Sequence, residues 1–263
     1  MKTAVDIYKL LPKTNCGTCG MPNCFGFAVK VASGQASITA CATLNDAVKE
    51  EISKEASGAV SRGTVFEQTL ASLGPKVAAL DFTRVAADFG ADLDAPNRLE
   101  LTFLNERYTV TRERIIDRDG REPAPFISIL IFNHLCSPDP PPLSGEWITF
   151  SSIPSSHAKD KAWAGHVEEV IAKRFTGDVE GLKKACEKMG GVPAEVKGSH
   201  DAAYAFRFFP NYPALLLFYD AVPDEDFPAQ CKLLLDRKVD RYLDIESIVL
   251  LGEEFAGRMT GKE

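Results

Sequence analysis

Long apolar runs are missing from this chain of 263 residues. The longest, residues 124–136, is broken by Asn133 and His134 and falls short of the roughly 18 apolar residues that a membrane span requires. The opening MKTAVDIYKLLPKTNC is too polar for a secretory leader. Excess basic charge is missing too: 30 Lys and Arg stand against 37 Asp and Glu, a net −7, so no basic face for nucleic acid is expected. No Gly-rich phosphate loop, nucleophile elbow or nucleotide fingerprint occurs, and Gly190-Gly191 lacks the strand–loop–helix setting of one. The four histidines, His134, His157, His166 and His200, have no metal-ligand spacing and are expected as satisfied core or surface residues. With 45% hydrophobic and 25% charged residues, the expectation is a folded, soluble, cytoplasmic protein without internal repeats.

Cysteine is what the chain does have. Four of seven, Cys16, Cys19, Cys24 and Cys41, fall within the first 41 residues. A secreted disulfide framework would spread an even number through a short chain, so these read as reduced thiols awaiting a metal or a redox role. The spacing Cys16-x2-Cys19-x4-Cys24-x16-Cys41 gives a compact triple and one distant sulfur, which suits the four corners of a single 4Fe–4S cluster. Structural zinc, the competitor, usually pairs two short knuckles, and no second knuckle follows Cys24; redox-active thiols are the other alternative. Gly17 and Gly20 are expected to take positive φ and to let amides approach the sulfurs, an approach that Ala or Val would obstruct. Cys136, Cys186 and Cys231 sit in apolar or helical contexts and read as small buried thiols.

Around the cysteines, residues 3–11 have helical spacing and stop at Pro12, residues 16–20 read as a loop, and Asn23 caps a helix reaching Gly34 with Cys24 in its first turn. Two polar helical segments, 45–59 and 64–73, then connect to the remainder. The division is expected near Arg62-Gly63: a mainly helical cluster module over 1–62 and a larger mixed α+β domain over 63–263. In that domain a helix at 82–89, a hairpin over 98–110 turning at Asn105-Glu106, a helix at 126–135 and a strand at 146–150 are expected. Helices at 163–175 and 179–189, strands at 202–209, 212–219 and 232–235, and a helix at 245–258 complete it.

The stretch from Lys9 through Lys-Thr-Asn-Cys-Gly-Thr-Cys-Gly-Met-Pro-Asn-Cys-Phe-Gly-Phe-Ala28, with Gly34 and Cys41 beyond it, resembles the small 4Fe–4S domain of the corrinoid iron–sulfur protein large subunit and of the Rnf complex B subunit. The resemblance covers residues 6–41 and implies Cys16, Cys19, Cys24 and Cys41 as ligands of one 4Fe–4S cluster. It also implies a role in passing single low-potential electrons to a cobalamin or along a ferredoxin-like chain. The remaining residues are too few for the corrinoid protein's barrel and contain no Asp-x-His-x-x-Gly cobalamin box. Instead Gly145-Glu-Trp-Ile-Thr-Phe150, Asp224-Glu-Asp-Phe-Pro228, Leu235-Asp-Arg237 and Tyr242-Leu243 resemble an uncharacterised domain family of anaerobic bacteria and archaea.

With all four cluster corners closed by cysteine, no iron is left open as a Lewis acid, and a Cys-x3-Cys-x2-Cys radical motif is missing, so the chain reads as an electron-transfer protein rather than a catalyst. A corrinoid protein or a ferredoxin-linked enzyme is the expected redox partner. The alternative is a binding, scaffold or sensor protein with a structural cluster. A third reading, an enzyme with a pocket formed by Asp220, Asp236 and Trp147, competes with simpler ones. Asp220, Asp224, Glu225, Asp226 and Asp236 read as solvated loop charges, and Trp147 as a core anchor. Residues 1–63 carry seven basic and five acidic side chains, leaving −9 for the rest; Lys9, Lys13 and Lys30 are placed to offset a cluster and shape its docking face.

Overall fold

The computed structural model describes residues 4–21, 23–32, 36–56, 62–138 and 140–261. The chain forms two compact units, Met1–Thr69 and Leu70–Glu263, so the division falls a few residues beyond Arg62-Gly63, within a helix.

In the first unit, α1 (Ala4–Leu10) packs on α2 (Cys24–Ala32). Asn23 starts α2 as the sequence suggests, its Oδ1 accepting from Gly26 N–H at 2.7 Å; the expected end at Gly34 lies outside the described residues. A 3₁₀ turn, Ile38–Ala40, is capped by Ser37 and delivers Cys41 at its end. It packs against α3 (Asp46–Ala56). Ile7, Leu11, Phe27, Ala28, Val31, Ile38, Leu44 and Ile52 form the core together with Cys24 and Cys41. That is a small core, in the size range where metals commonly supply part of the folding energy.

The second unit begins within α4 (Arg62–Ala78), followed by α5 (Phe82–Phe89). Asp81 caps α5 by accepting from the Thr83 and Arg84 amides, and Gly90, at φ 69°, ends it. An antiparallel meander follows: β1 (Asp92–Ala95), β2 (Arg98–Phe103), β3 (Glu106–Thr111) and β4 (Ile115–Asp117). Leu99, Leu101 and Phe103 point into the core with Tyr108 and Val110 paired beside them. The hairpin turns one residue earlier than expected, at Leu104-Asn105, both left-handed at φ 46° and 65°; Leu104 N–H bonds to Phe208 O at 2.9 Å, which holds the turn there.

The apolar α6 (Pro125–Leu135) precedes β5, which is only Trp147–Ile148 before a 3₁₀ turn takes over. The expected helix at 163–175 begins earlier and contains a π segment, running as α7 (Asp160–Trp163), the π turn Ala164–Glu168, and α8 (Glu169–Phe175). Then come α9 (Val179–Lys188), β6 (Val192–Pro193), β7 (Ala202–Phe209), β8 (Tyr212–Tyr219), β9 (Gln230–Asp236) and α10 (Ile245–Thr260). The five strands form an antiparallel sheet in the order β5-β9-β8-β7-β6. Phe206 and Phe208 of β7 meet Phe255 of α10 at 4.9 and 4.8 Å. At Gly252 of α10 an added Cβ would lie 2.5 Å from the Trp163 ring, so only glycine permits this approach of the two helices. No helix among the described residues is long and apolar enough to cross a membrane.

Candidate metal centre

Three parts of the first unit carry the four predicted sulfurs. Cys16 and Cys19 stand on the loop after α1, Cys24 opens α2, and Cys41 ends the 3₁₀ turn. Cys24 and Cys41 are buried, and Cys19 packs against the same apolar cluster; Cys16 is exposed. The loop is held to α2 by Asn15, whose Oδ1 accepts from Cys24 N–H at 2.8 Å while its own N–H donates to Cys24 Sγ at 3.4 Å. Left-handed backbone recurs at Lys13, Asn15, Gly17 and Gly20, which curls the chain so that amides can face an electron-rich centre.

The donors suit an iron–sulfur group. All four are thiols, one already accepts an amide N–H, and two have a threonine hydroxyl two residues on: Thr18 Oγ1 is 3.0 Å from Cys16 Sγ and Thr43 Oγ1 3.7 Å from Cys41 Sγ. Hydrogen bonds from Thr18, hydroxyl first, then backbone, lower the Cys16 thiol to about 7, favouring the thiolate that metal binding needs. Among the described residues, no three His, Cys, Asp or Glu side chains, the four cysteines included, are gathered closely enough to hold a metal ion. Gly17 and Gly20 have the expected positive φ, 74° and 77°, a conformation that L side chains rarely adopt. Among protein atoms, a Cβ on Gly20 meets nothing within 4 Å and one on Gly17 only Met21 O at 4.0 Å.

Elsewhere several expectations change. Trp147 is not a core anchor: it is 41% exposed on the two-residue edge strand. Asp236 is not a solvated charge. It is 2% exposed and accepts from Ser144 N and Oγ, Gly145 N and Lys238 N at 2.8–3.1 Å. Burial pushes its carboxyl up, yet these donors outweigh burial and leave it below the usual value. Asp220 follows the far end of β8 and accepts from Gly177 N and Ala221 N, so Asp220, Asp236 and Trp147 do not line one pocket. Asp224, Glu225 and Asp226 are exposed.

His134 is in the core but not satisfied. It is fully buried with neither ring nitrogen bonded, stacked on Phe209 at 3.9 Å, and burial pushes it down to about 3. His157 and His166 are exposed beside Asp160 and Glu253, and His200 is half-buried. Cys186 and Cys231 are buried, and burial raises Cys186 to about 12 and lifts Cys231 well above the usual thiol value; Cys136 is only half-buried at the end of α6.

One polar group escaped the sequence reading. Arg258 of α10 bonds Glu254 at 2.6 Å and Glu106 at 2.9 Å, and Tyr108 donates to Glu106 at 2.8 Å. Burial lifts the Tyr108 hydroxyl to about 12. These four line a cleft of about 710 Å³.

Comparison with known proteins fits the two units. The model for "Domain of unknown function (DUF3786)" matches residues 81–258. The chain belongs to this family. Ahead of the DUF3786 domain, the family model described as "Putative Fe-S cluster" matches residues 11–42. The same region is similar to the corrinoid/iron-sulfur protein large subunit of Moorella thermoacetica, 43% identical over 60 residues, 23% of this chain and 14% of that one. The gamma subunit of the acetyl-CoA decarbonylase/synthase complex of Methanocaldococcus jannaschii is 56% identical over 43 residues, 16% and 9% of the two chains. The ion-translocating oxidoreductase complex of Rhodobacter capsulatus contributes a third relative, its B component, 56% identical over 36 residues, 14% and 19%. The chain thus spans between 9% and 19% of these relatives. No solved structure gives a significant match. The segment ahead of the DUF3786 domain is an Fe–S cluster-binding module homologous to parts of redox complexes.

Proposed function

We propose that Cys16, Cys19, Cys24 and Cys41 hold one 4Fe–4S cluster and that the protein passes single low-potential electrons to or from a protein partner. The observation that carries this reading is the Cys-x2-Cys-x4-Cys triple and its distant fourth cysteine, within a segment homologous to subunits of corrinoid and oxidoreductase complexes. Bound there, the cluster supplies a one-electron couple. The chain supplies the rest: Asn15 N–H donates to the Cys24 sulfur, and Thr18 and Thr43 place hydroxyls beside Cys16 and Cys41, which draws charge from the thiolates and tunes the couple. Exposure of Cys16 leaves one corner open to a partner. A corrinoid protein or a ferredoxin-linked enzyme is the partner class to test first.

Anaerobic purification with iron and sulfide analysis, followed by EPR of the dithionite-reduced protein, tests the proposal. It expects about four irons and four sulfides per chain and a reduced-cluster signal. A cluster that no low-potential donor can reduce overturns it. Inclusion of Cys24 and Cys41 in the module's own core favours a second reading, a structural or sensing cluster in a binding protein. Cys16→Ser separates the two: the second unit still folded, with electron transfer lost, supports the electron-transfer role.

A further inference from the structure

The nine residues of α2, CFGFAVKVA, hold one charge, Lys30. A helix that is apolar on every face is normally covered on every face. The inward stripe of Cys24, Phe27, Ala28 and Val31 is indeed buried. The outward stripe is not: Phe25 and Val29, one helical turn apart, are 47% and 44% exposed, and Val5 of α1 is 50% exposed. Tyr8 joins the two helices on this side, its ring edge-on to Phe25 at 5.4 Å. Val5, Tyr8, Phe25 and Val29 therefore form an open apolar strip, beginning at the residue after Cys24.

Its margin is basic. Lys9 and Lys30 are exposed on the same two helices, and the Lys13 ammonium lies 5.5 Å from the Tyr8 ring. Within residues 4–41 the sole carboxylate is Asp6, 3.7 Å from Lys9. Three lysines against the one carboxylate of Asp6 give these two helices a positive bias beside the apolar strip, a combination suited to a transient protein contact, in which charge steers the encounter and the apolar centre holds it.

We propose that this α1–α2 face docks an acidic redox protein, one presenting an apolar patch within a rim of carboxylates. The inference rests on the electron-transfer reading only for the kind of partner, since docking itself requires no electron to move. Charge complementarity selects the occupant. The chain's own acidic 220–226 segment, with Val222 and Phe227 exposed beside it, makes a second copy the rival.

The test uses the full-length, cluster-loaded chain under anaerobic conditions, with an acidic plant-type 2Fe–2S ferredoxin as probe and basic cytochrome c as the charge-inverted control. Carbodiimide crosslinking to the ferredoxin is expected at Lys9, Lys13 and Lys30. Binding is expected to weaken steeply between about 20 and about 300 mM salt. Lys9→Glu, Lys13→Glu and Lys30→Glu together should cost at least about tenfold in ferredoxin affinity and confer cytochrome c binding. Phe25→Ser with Val29→Ser should weaken binding about tenfold without changing the salt slope. Variants are compared at matched iron content, and the wild-type crosslinks stand independently of them. Failure to bind the ferredoxin, crosslinks confined to other lysines, or variants that bind like the wild type overturn the proposal. So does self-association abolished by Phe227→Asp, which would make a second copy the occupant. If the ferredoxin docks here but takes no electron from the reduced protein, the electron-transfer reading falls and the docking face stands.

Discussion

Protonation of His134 should dominate the pH dependence of the second unit between pH 6.5 and 4.5. The imidazole is fully buried among Phe89, Phe209, Tyr212 and Tyr242, with no hydrogen bond to either nitrogen. Burial lowers it from 6.5 to about 3. Because the folded value lies below the unfolded one, the unfolded chain binds the proton first. Stability is therefore fully present above pH 6.5 and is lost as pH falls, at about 1.4 kcal/mol per unit. By pH 5 the loss reaches about 2 kcal/mol, a large share of the 5–15 kcal/mol typical of a domain. Most carboxylates titrate lower, near 4, and comparison with a His134 variant separates this group from the other three histidines of the second unit. Both tryptophans, Trp147 and Trp163, lie in the second unit, so urea melts followed by tryptophan fluorescence report on it alone. His134→Phe keeps the stack on Phe209 and removes the titrating nitrogens, so its stability should fall less steeply than that of the wild type across the window, by about 1.4 kcal/mol per unit. An equal slope in wild type and variant refutes the reasoning.

Three further outcomes are expected. Gly252→Ala drives a methyl to 2.5 Å from the Trp163 ring; it should cost about 1–3 kcal/mol and shift the tryptophan emission, both read in the same urea melts. Asp236→Ala leaves the amides of Ser144, Gly145 and Lys238 without their acceptor and should lower the second unit's stability by about 2–3 kcal/mol, whereas an effect under about 0.5 kcal/mol would return Asp236 to the status of a surface charge. Cys24→Ser should reduce iron and sulfide per chain, with Cys186→Ser leaving both unchanged; equal iron content in the two would remove Cys24 from the ligand set.

Local signals were the readable ones. The α5 helix was legible to the residue because Asp81 and Gly90 punctuate it. The cysteine segment was legible because its chemistry lies in spacing within 26 residues. Its Cys-x-Thr repeat, Cys16-Gly-Thr18 and Cys41-Ala-Thr43, was available as a signal for the hydroxyls beside the sulfurs and went unread. What failed depends on distant parts of the chain. Leu104 takes a left-handed conformation that its side chain disfavours because β7 accepts its N–H. All four residues of β1 are exposed, so no alternation announces that strand. Trp147 and Asp236 are opposed in register across β5 and β9, yet one is exposed and the other buried, a contrast set by the Ser144-Gly145 turn rather than by either residue type. Arg258 and Glu106 meet across about 150 positions, beyond any periodic pattern.

In the first unit the candidate ligand and the candidate docking face share one helix. Cys24 is in the buried stripe of α2 and Phe25 in the exposed one, so whatever holds Cys24 also fixes the start of the helix that presents Phe25 and Val29. Among the described residues this core is small, built on Ile7, Leu11, Phe27, Val31, Ile38, Leu44 and Ile52, and in modules of this size metal binding and folding are commonly one equilibrium. Loss of the cluster should then remove the sulfur cage and the apolar strip together. A partner that reads the strip would discriminate loaded from empty protein without touching iron, and electrons would be offered only where a cluster exists to carry them.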